Sequence, residues 1–270
     1  MNELSLLYPS FKNNTPISLL PIPKTYNDYI QWQDEYITSD RGKSDALFWK
    51  HQLQGEFEPL NLATDHPRPK AIGSNAQVLP FYPKQITLDK LKTYSLKNRL
   101  SPFALYLGLF HLLLHKLSSQ ETILVGTPTA GRDETFGGIY GYFVSPVVTQ
   151  SAFKEDQPLS EFINNFNQHI KEFISHQDYP FPKLIEELNI PRDPSRSPLF
   201  QATFTWDNAN RFENRHSPLF TLNENGNDIW HVEDFKLERI PFKQQWDYFD
   251  INLKMVKLQN SVYGIFEYNT

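Results

Sequence analysis

The clearest pattern in the chain is a run of apolar residues that begins just after Pro158. Its members recur at the spacing expected for one face of an α-helix packed on a core: Leu159, Phe162, Ile163, Phe166, Ile170, Phe173 and Ile174. A second helix is predicted over Phe103–Leu117, because Ser101 can cap its first turn and Pro102 suits the first helical position. This second stretch is apolar nearly all round, so it should be buried on most sides.

Short runs rich in Val, Ile, Phe and Tyr, bounded by turn residues, predict strands. The segments of this kind are Val78–Tyr82, "ETILVGTP" at 121–128, "GYFVSPVVTQ" at 141–150, Phe200–Trp206, and a hairpin of Asp250–Val256 with Val262–Tyr268 that turns at Gln259 and Asn260. Helical patterns are interspersed with these strands. The chain is therefore predicted to form an α/β (α+β) sandwich in which helices flank a mixed sheet.

The first 75 residues are patterned differently, as a short helix, a connector and further short helices. Prolines that forbid regular structure interrupt the connector: Pro16, Pro21 and Pro23. Thr25 can cap one helix that follows and Ser44 can cap the next, while Thr87 precedes another helix later in the chain. We therefore expect a Pro-rich linker with short helices over residues 1–75 and a main lobe over residues 76–270.

Composition and charge narrow the possible functions. The formal net charge is −5 and the 26 basic residues are spread thinly, so the chain lacks the basic surface that nucleic acids and anionic membranes attract. Cysteine is absent, which excludes disulfides, a catalytic thiolate and Cys-ligated zinc. The longest apolar run, Phe103–Leu114, is too short to span a bilayer, and the first residues lack a signal-peptide pattern. We expect a soluble cytoplasmic protein with no nucleic-acid or membrane partner.

The stretch "GTPTAGRD", Gly126 to Asp133, nearly matches the phosphate-binding loop that follows a strand. Arg132 and Asp133 stand where that loop needs a lysine and a hydroxyl, and Pro128 removes one amide donor. The stretch is therefore interpreted as a turn at the end of a strand.

The stretch "HLLLH" places His111 and His115 one helical turn apart, as in the zinc motif H-E-x-x-H. The glutamate is missing, the neighbours of both histidines are leucines, and no third ligand is suggested. We interpret the pair as helix-surface histidines and predict no metal site.

Polar residues and prolines mix in "HQDYPFPKLIEELNIPRDPSRSPLFQATF", residues 176–204. Asp193, Pro194 and Ser195 have the chemistry of a turn, and Asp178 stands where it could cap a helix over Lys183–Leu188. Arg192 and Arg196 could pair with Asp178 or Asp193. No G-x-S-x-G element surrounds Ser195, so a nucleophile is not expected there, and the stretch is interpreted as a structural corner.

Taken in order, these segments resemble the condensation domain of nonribosomal peptide synthetases over almost the whole chain. The stretch "YNDYIQW" is similar to that family's Y-x-D-[FY]-x-x-W motif through Tyr26, Asp28 and Trp32. The other motif residues are Gly126, Pro128, Gly131 and Arg132 in "ILVGTPTAGR"; Tyr142, Val144 and Ser145 in "IYGYFVSPVV"; His176, Gln177, Asp178, Pro180 and Phe181 in "HQDYPFP"; and Arg192, Asp193, Ser195, Arg196, Pro198 and Leu199 in "RDPSRSPLF".

The resemblance implies a fold of two chloramphenicol-acetyltransferase-like lobes with a tunnel between them, lined in part by Tyr142, Val144 and Ser145. It also implies a reaction in which an acceptor amine attacks a donor acyl or peptidyl thioester and forms an amide. Both substrates would arrive on the phosphopantetheine arms of carrier proteins. No cofactor is expected to bind the chain directly.

The chain departs from the family pattern at its catalytic motif, because the H-H-x-x-x-D-G sequence is absent. None of the eight histidines is adjacent to another: His51, His66, His111, His115, His169, His176, His216 and His231. The resemblance therefore implies the second, C-terminal lobe of a condensation domain, truncated at its end, with no catalytic residue of its own and with the missing N-terminal lobe as a partner. The isolated chain is expected to be inactive, and His176 is expected to be a scaffold residue. Ser145 stands where the family commonly has asparagine.

Two alternatives remain at this stage. The chain could be a binding module that docks a carrier protein or completes a partner that supplies the other lobe. It could instead be a free-standing acyltransferase in which His216 or His231 serves as the base.

Overall fold

The computed structural model describes residues 2–17, 19, 21–55, 57–73, 75–132, 134–208, 229–232, 235–238, 248–258 and 261–270. The helices are α1 (Asn2–Lys12), α2 (Tyr26–Thr38), α3 (Asp40–Gln52), α4 (Gln85–Lys97), α5 (Pro102–Ser118), α6 (Leu159–Ser175) and α7 (Phe181–Glu187). The strands are β1 (Ala76–Phe81), β2 (Thr122–Thr129), β3 (Ser145–Ala152), β4 (Ala202–Asn208), β5 (Ile229–Val232), β6 (Phe235–Glu238), β7 (Ile251–Lys257) and β8 (Val262–Asn269). The predicted sandwich of helices on a mixed sheet is confirmed.

The main sheet has six strands in the order β1-β8-β7-β4-β2-β3. Strands β2, β4 and β7 run parallel, and the other neighbours are antiparallel. Strands β5 and β6 form a separate antiparallel pair. The predicted hairpin is confirmed as β7 and β8, while its turn at Gln259 and Asn260 lies outside the described residues.

Helix α5 lies on one face of the sheet, in the middle of the core. The ring of Phe110 approaches Phe204 of β4 and Phe266 of β8, at centroid distances of 6.1 and 6.5 Å. Helix α6 packs beside α5, with Phe166 fully buried. The predicted start of α5 is also confirmed, because the Ser101 hydroxyl accepts a hydrogen bond from the amide of Ala104 and Pro102 is the first helical residue.

Helices α3 and α7 lie on the opposite side, where the strand residues between those facing α5 are also buried. Leu124 of β2 and Val148 of β3 alternate with Val125 and Thr149, and all four are inaccessible to solvent or nearly so. The ring of Phe181 on α7 reaches Phe200, just before β4, at a centroid distance of 5.5 Å. The sheet is therefore covered on both faces in this region.

The interpretation of His111 and His115 as helix-surface residues is wrong for His111. Its side chain is fully buried against β3, where its ring nitrogens lie 2.9 Å from Ser151 Oγ and 3.0 Å from Thr149 Oγ1. His115 is half-buried, and its Nδ1 lies 2.8 Å from the carbonyl oxygen of Gln120. The two strand hydroxyls satisfy the polar ring, which makes burial of His111 possible.

Three predicted helix starts are displaced. Helix α3 is capped by Ser39, whose hydroxyl accepts from the amide of Gly42, so Ser44 lies inside the helix. Helix α4 begins at Gln85, before Thr87, and no side chain caps it. Helix α7 begins at Phe181 with Pro180 as its cap residue, and Asp178 makes no capping hydrogen bond to it.

The strands on either side of "GTPTAGRD" also differ from the prediction. Strand β2 continues through Gly126 to Thr129, so the chain turns only after Thr129; Asp133 lies outside the described residues. Strand β3 begins at Ser145, so residues 141–144 of the predicted strand are irregular.

No single helix of the described residues is long and apolar enough to cross a membrane. The pair α4 and α5, bent by 115° at the break between them, meets the length and composition criteria when the two helices are taken together.

Candidate functional site

Aromatic side chains of α2 form a cluster with the segment between β2 and β3, apart from the main core. Tyr26, Tyr29 and Trp32 recur every three residues, so they follow one face of α2. Tyr29 is buried, and its ring meets Phe136 and Phe143 edge-on at centroid distances of 5.3 and 4.6 Å. We call this place the motif junction; its members are Tyr26, Tyr29, Trp32, Gly131, Arg132, Phe136, Ile139, Gly141, Tyr142, Phe143, Val144 and Ser145.

The turn after β2 holds the next segment by two direct contacts. Gly131 has φ of +61°, and a Cβ placed there would lie 1.6 Å from the carbonyl oxygen of Phe143, so no other residue fits. The guanidinium of Arg132 donates to the carbonyl of Ile139 at 2.9 Å and lies over the Phe143 ring, 5.1 Å from its centroid. Gly131 and Arg132 therefore fix the segment that leads to β3.

The start of α2 holds the same segment from another direction. The hydroxyl of Tyr26 donates to the carbonyl of Tyr142 at 2.8 Å, and its ring packs edge-on against Phe143. Gly141 lies against the Tyr26 ring, where a Cβ would come within 2.2 Å of a ring carbon. Phe143 points inward and is 4% exposed, whereas Tyr142 is 76% and Val144 45% exposed. The junction therefore presents two apolar side chains outward on an anchored backbone.

Ser145 is the first residue of β3 and lies opposite Thr129, the last residue of β2. The Thr129 hydroxyl donates to the Ser145 carbonyl at 3.0 Å, and Ser145 itself is half-buried. The contact joins the ends of the two strands at the junction.

Asp28, the acidic residue of the first motif, contributes to the start of α2 rather than to the exposed surface of the junction. It forms a capping box with Thr25: the Asp28 carboxylate accepts from the Thr25 backbone amide, and the Thr25 hydroxyl accepts from the Asp28 amide. The Thr25 backbone hydrogen bond is the main cause that lowers the pKa of Asp28. Thr25 was predicted as the cap, and this is confirmed.

A second polar cluster surrounds the carboxylate of Asp45 on α3, which is fully buried. It accepts hydrogen bonds from the Tyr36 hydroxyl, from Arg41 Nε at 3.2 Å, and from His176 Nδ1 at 2.6 Å. Burial, followed by the hydrogen bond to Asp45, raises the pKa of Tyr36. The cluster joins α2, α3 and the end of α6 through one anion.

His176 is held on all sides by this arrangement. Its Nδ1 bonds Asp45, its ring stacks on Phe48 at a centroid distance of 3.8 Å, and its carbonyl accepts from Trp49 Nε1 at 2.9 Å. Because the Asp45 carboxylate accepts at Oδ1, Nδ1 carries the proton. The remaining nitrogen, Nε2, lies on a different part of the molecule from the outward side chains of the motif junction.

The residues that follow His176 lead into α7. Gln177 is half-buried and its amide donates to the carbonyl of Ile174, Asp178 is exposed, and Pro180 and Phe181 begin the helix. Residues 176–181 thus form the corner between α6 and α7.

The stretch 192–199 forms a tight turn before β4, as predicted. The Ser195 amide donates to Asp193 Oδ1 at 2.8 Å, and the hydrogen bonds from Ser195 lower the pKa of Asp193. Arg196 Nε lies 3.0 Å from Asp193 Oδ2, so this predicted ion pair is present, whereas Arg192 is exposed. Leu199 has φ of +69°, a conformation that costs a leucine about 1–2 kcal/mol.

The turn is tied to distant segments by residues to which the sequence assigned no role. Arg68 forms a two-pronged ion pair with Asp250 and donates to the carbonyl of Ser195 at 3.1 Å. The exposed Pro198 and the half-buried Leu199 border a cavity of about 540 Å³ that adjoins the start of β4. The motif junction lies elsewhere, beyond the end of the parallel strand β2.

Sequence reasoning also missed Asp45. The available signal was the four-residue spacing of Arg41 and Asp45, which places the two side chains together on a helix. Spacing alone does not reveal that the carboxylate is buried or that Tyr36 and His176 reach it.

The histidines whose side chains the structure describes are either engaged or remote from the motif junction. His111 and His176 are bonded as described, and His51, His66 and His169 are exposed side chains on or near α3, in the loop before β1 and on α6. His231 belongs to β5, and His216 lies outside the described residues. Among the described residues, no group of His, Cys, Asp or Glu is arranged to hold a metal ion.

A family model described as "Condensation domain" matches residues 1–270. Among curated proteins, the chain is 30% identical over 271 residues to a subunit of the linear gramicidin synthase of Brevibacillus parabrevis, which covers 100% of this chain and 5% of that protein. It is 30% identical over 222 residues to polyketide synthase PksN of Bacillus subtilis (strain 168), covering 81% of this chain and 4% of that protein. The chain thus spans about one twentieth of the length of these relatives.

Solved structures give the same result for the fold. A holo four-domain nonribosomal peptide synthetase bound to AMP and glycine matches with a TM-score of 0.77 and 25% identity, over 99% of this chain and 20% of that chain. The starter condensation domain of rhizomide synthetase, a mutant in complex with C8-CoA and Leu-SNAC, matches with a TM-score of 0.67 and 14% identity, over 98% of this chain and 55% of that chain.

The predicted chloramphenicol-acetyltransferase-like lobe, with its mixed sheet flanked by helices, is confirmed by these matches. The aromatic and glycine contacts of the motif junction join segments whose sequences resemble the condensation motifs, and the family model covers all of them. The chain therefore belongs to the condensation-domain family of nonribosomal peptide and polyketide synthetases.

Proposed function

We propose that this chain forms one wall of a site in which an acceptor amine attacks a donor acyl or peptidyl thioester. The amine nitrogen forms a C–N bond to the thioester carbonyl carbon, the C–S bond breaks, and the proton lost by the amine is returned to the leaving thiolate. The observation that carries the proposal is the motif junction, which holds Tyr142 and Val144 outward on a backbone fixed by Tyr26 and Arg132.

The general base would come from outside the described residues. A base must lie within hydrogen-bond reach of the amine it deprotonates. Burial lowers the pKa of His111 to about 3, and its two ring nitrogens are already bonded. His176 spends Nδ1 on Asp45 and its ring is stacked. An H-H-x-x-x-D-G segment on a complementary lobe would supply the base instead.

The partners proposed for this site are carrier-protein domains that present both substrates on phosphopantetheine, together with the N-terminal lobe. The relatives that support this are multidomain synthetases many times longer than the chain. The chain's own part would be to position substrates, because positioning two reactants accounts for much of the acceleration in such a transfer.

The test measures amide formation with an octanoyl thioester as donor and the N-acetylcysteamine thioester of leucine as acceptor, followed by mass spectrometry. The chain is assayed alone and together with a lobe that carries H-H-x-x-x-D-G. We expect octanoyl-leucyl product only with the complementary lobe, and none when the second histidine of that lobe's motif is replaced by alanine. A panel of acyl and aminoacyl thioesters extends the test to other donors and acceptors.

Other outcomes would identify the alternatives. Product formed by the chain alone, and lost in a His216→Ala or His231→Ala variant, would contradict the proposal and indicate a free-standing acyltransferase. Binding of the complementary lobe or of a carrier protein without product from any pair in the panel would indicate a binding module. The exposed side chains of Tyr140, Tyr142 and Val144 favour that module as the second candidate, since such a patch suits an interface.

A further inference from the structure

The backbone between Ile139 and Ser145 is irregular and gains no support from the sheet until β3 begins. Its shape therefore depends on side-chain contacts. On one side Arg132 holds the carbonyl of Ile139 at 2.9 Å. On the other side Tyr26 holds the carbonyl of Tyr142 at 2.8 Å, across 116 positions of sequence.

Tyr26 fits this segment closely and in more than one way. Its hydroxyl bonds the Tyr142 carbonyl, its ring packs on Phe143 at a centroid distance of 5.2 Å, and Gly141 leaves room for the ring by having no Cβ. These contacts bracket Tyr142, whose own side chain is 76% exposed. The outward direction of the Tyr142 side chain thus depends on where Tyr26 holds its carbonyl.

We propose that Tyr26 is a positioning residue for the condensation site and that it acts through Tyr142. The inference rests on the proposed function, since it assigns to Tyr142 a place in the wall against which a substrate is oriented. Tyr26 does not itself touch substrate, because its hydroxyl is turned toward the backbone of Tyr142. Its effect is to keep that wall in one arrangement.

The chain offers a matched control one helical turn away. Tyr29 is on the same face of α2 and its ring also packs on Phe143, but its hydroxyl accepts only from Gln33 within the same helix, at 3.4 Å. Tyr26→Phe and Tyr29→Phe therefore remove the same atom from neighbouring rings. Only the first removes a bond to residues 139–145.

The first measurement needs no substrate. Hydrogen–deuterium exchange of the backbone amides of residues 139–145 is compared in the unmodified chain and in the two variants. Tyr26→Phe should speed exchange there about fivefold, the effect of losing one hydrogen bond of ordinary strength. Tyr29→Phe should leave it unchanged. Equal exchange in all three proteins would overturn the proposal.

The second measurement separates positioning from a general loss of structure. In the two-lobe octanoyl transfer assay, Tyr26→Phe should lower kcat about tenfold with KM changed less than twofold, because orientation is lost rather than binding. In a Tyr142→Ala background, which keeps the carbonyl but removes the side chain, Tyr26→Phe should lower kcat less than threefold. An undiminished loss in that background would overturn the role through Tyr142.

The two measurements fail separately. If the unmodified protein and its complementary lobe form no amide with any thioester pair, the proposed function is wrong and Tyr26 has no catalytic consequence. The exchange data would still decide whether Tyr26 holds the segment.

Discussion

His111 is enclosed between α5 and β3, and its two neighbours determine which nitrogen carries the proton. The Thr149 hydroxyl donates to the carbonyl of Val125, so its oxygen must accept from His111 Nε2. Nδ1 is then the acceptor and Ser151 is the donor. Burial lowers the pKa of His111 to about 3, so the ring is neutral in the folded protein at neutral pH.

This burial predicts a pH dependence of stability. The unfolded chain gains a proton on His111 below about pH 6.5 while the folded chain does not, so the stability present above that pH is lost as the pH falls toward 3. Between pH 7 and pH 5 the free energy of unfolding should drop by about 2 kcal/mol on account of this residue. Urea unfolding at the two pH values checks this.

His111→Gln removes the titrating group, so its loss of stability between pH 7 and pH 5 should be smaller by that amount. His51→Gln, which removes an exposed histidine, is the control and should show the dependence of the unmodified chain. An unchanged pH dependence in His111→Gln would contradict a buried neutral imidazole.

At the scale of elements, α2 and α3 follow one another with a single residue between them, Ser39. Its hydroxyl accepts from the Gly42 amide, and Gly42 lies against the carbonyl of Tyr36, where a Cβ would come within 2.0 Å. The sharp bend between the helices therefore requires both a small cap and a glycine in the first turn.

Ser39→Ala should lower the free energy of unfolding by about 1 kcal/mol, because the cap hydrogen bond is lost. Ser44→Ala changes the same residue type at an exposed position inside α3 and should be neutral or stabilise the chain by a few tenths of a kcal/mol. Chemical denaturation of both variants measures the difference. Equal effects would show that Ser39 is not the cap.

The same two helices are joined to α6 by the buried carboxylate of Asp45. Asp45→Asn keeps the shape but replaces an acceptor by an amide that cannot satisfy Tyr36, Arg41 and His176 together. The expected cost is about 3 kcal/mol of unfolding free energy, since a buried charge network loses its anion. The midpoint of urea unfolding reports it, with the exposed Asp34→Asn on α2 as the control. A cost below about 1 kcal/mol would mean that the network contributes little to docking.

At the scale of the whole molecule, the sequence predicted what depends on near neighbours. The apolar stripe of α6 and the Ser101–Pro102 start of α5 are local patterns, and both are confirmed. The order β1-β8-β7-β4-β2-β3 depends on pairings between strands far apart in the chain, which periodicity does not contain. The burial of His111 was missed for this reason, since Thr149 and Ser151 belong to another element.

The candidate site was predictable in its parts and not in its assembly. Resemblance identified the segments around Tyr26, Gly131 and Tyr142, but not that a tyrosine hydroxyl and an arginine would hold one backbone between them. Asp45 carried no signal stronger than a helical spacing. Contacts between distant parts of the chain arise from the fold, as the Tyr26–Tyr142 bond across 116 positions illustrates.

The pairing of β1 with β8 has a consequence for synthesis on the ribosome. Gln77 and Tyr268, which face each other across these strands, are 191 residues apart. At typical elongation rates β1 waits about 10 to 40 s before its partner emerges. During that interval its exposed Val78 and Leu79 could recruit a strand from another nascent chain. Pro80 has no amide hydrogen to donate, so it protects the waiting strand against such pairing until β8 arrives.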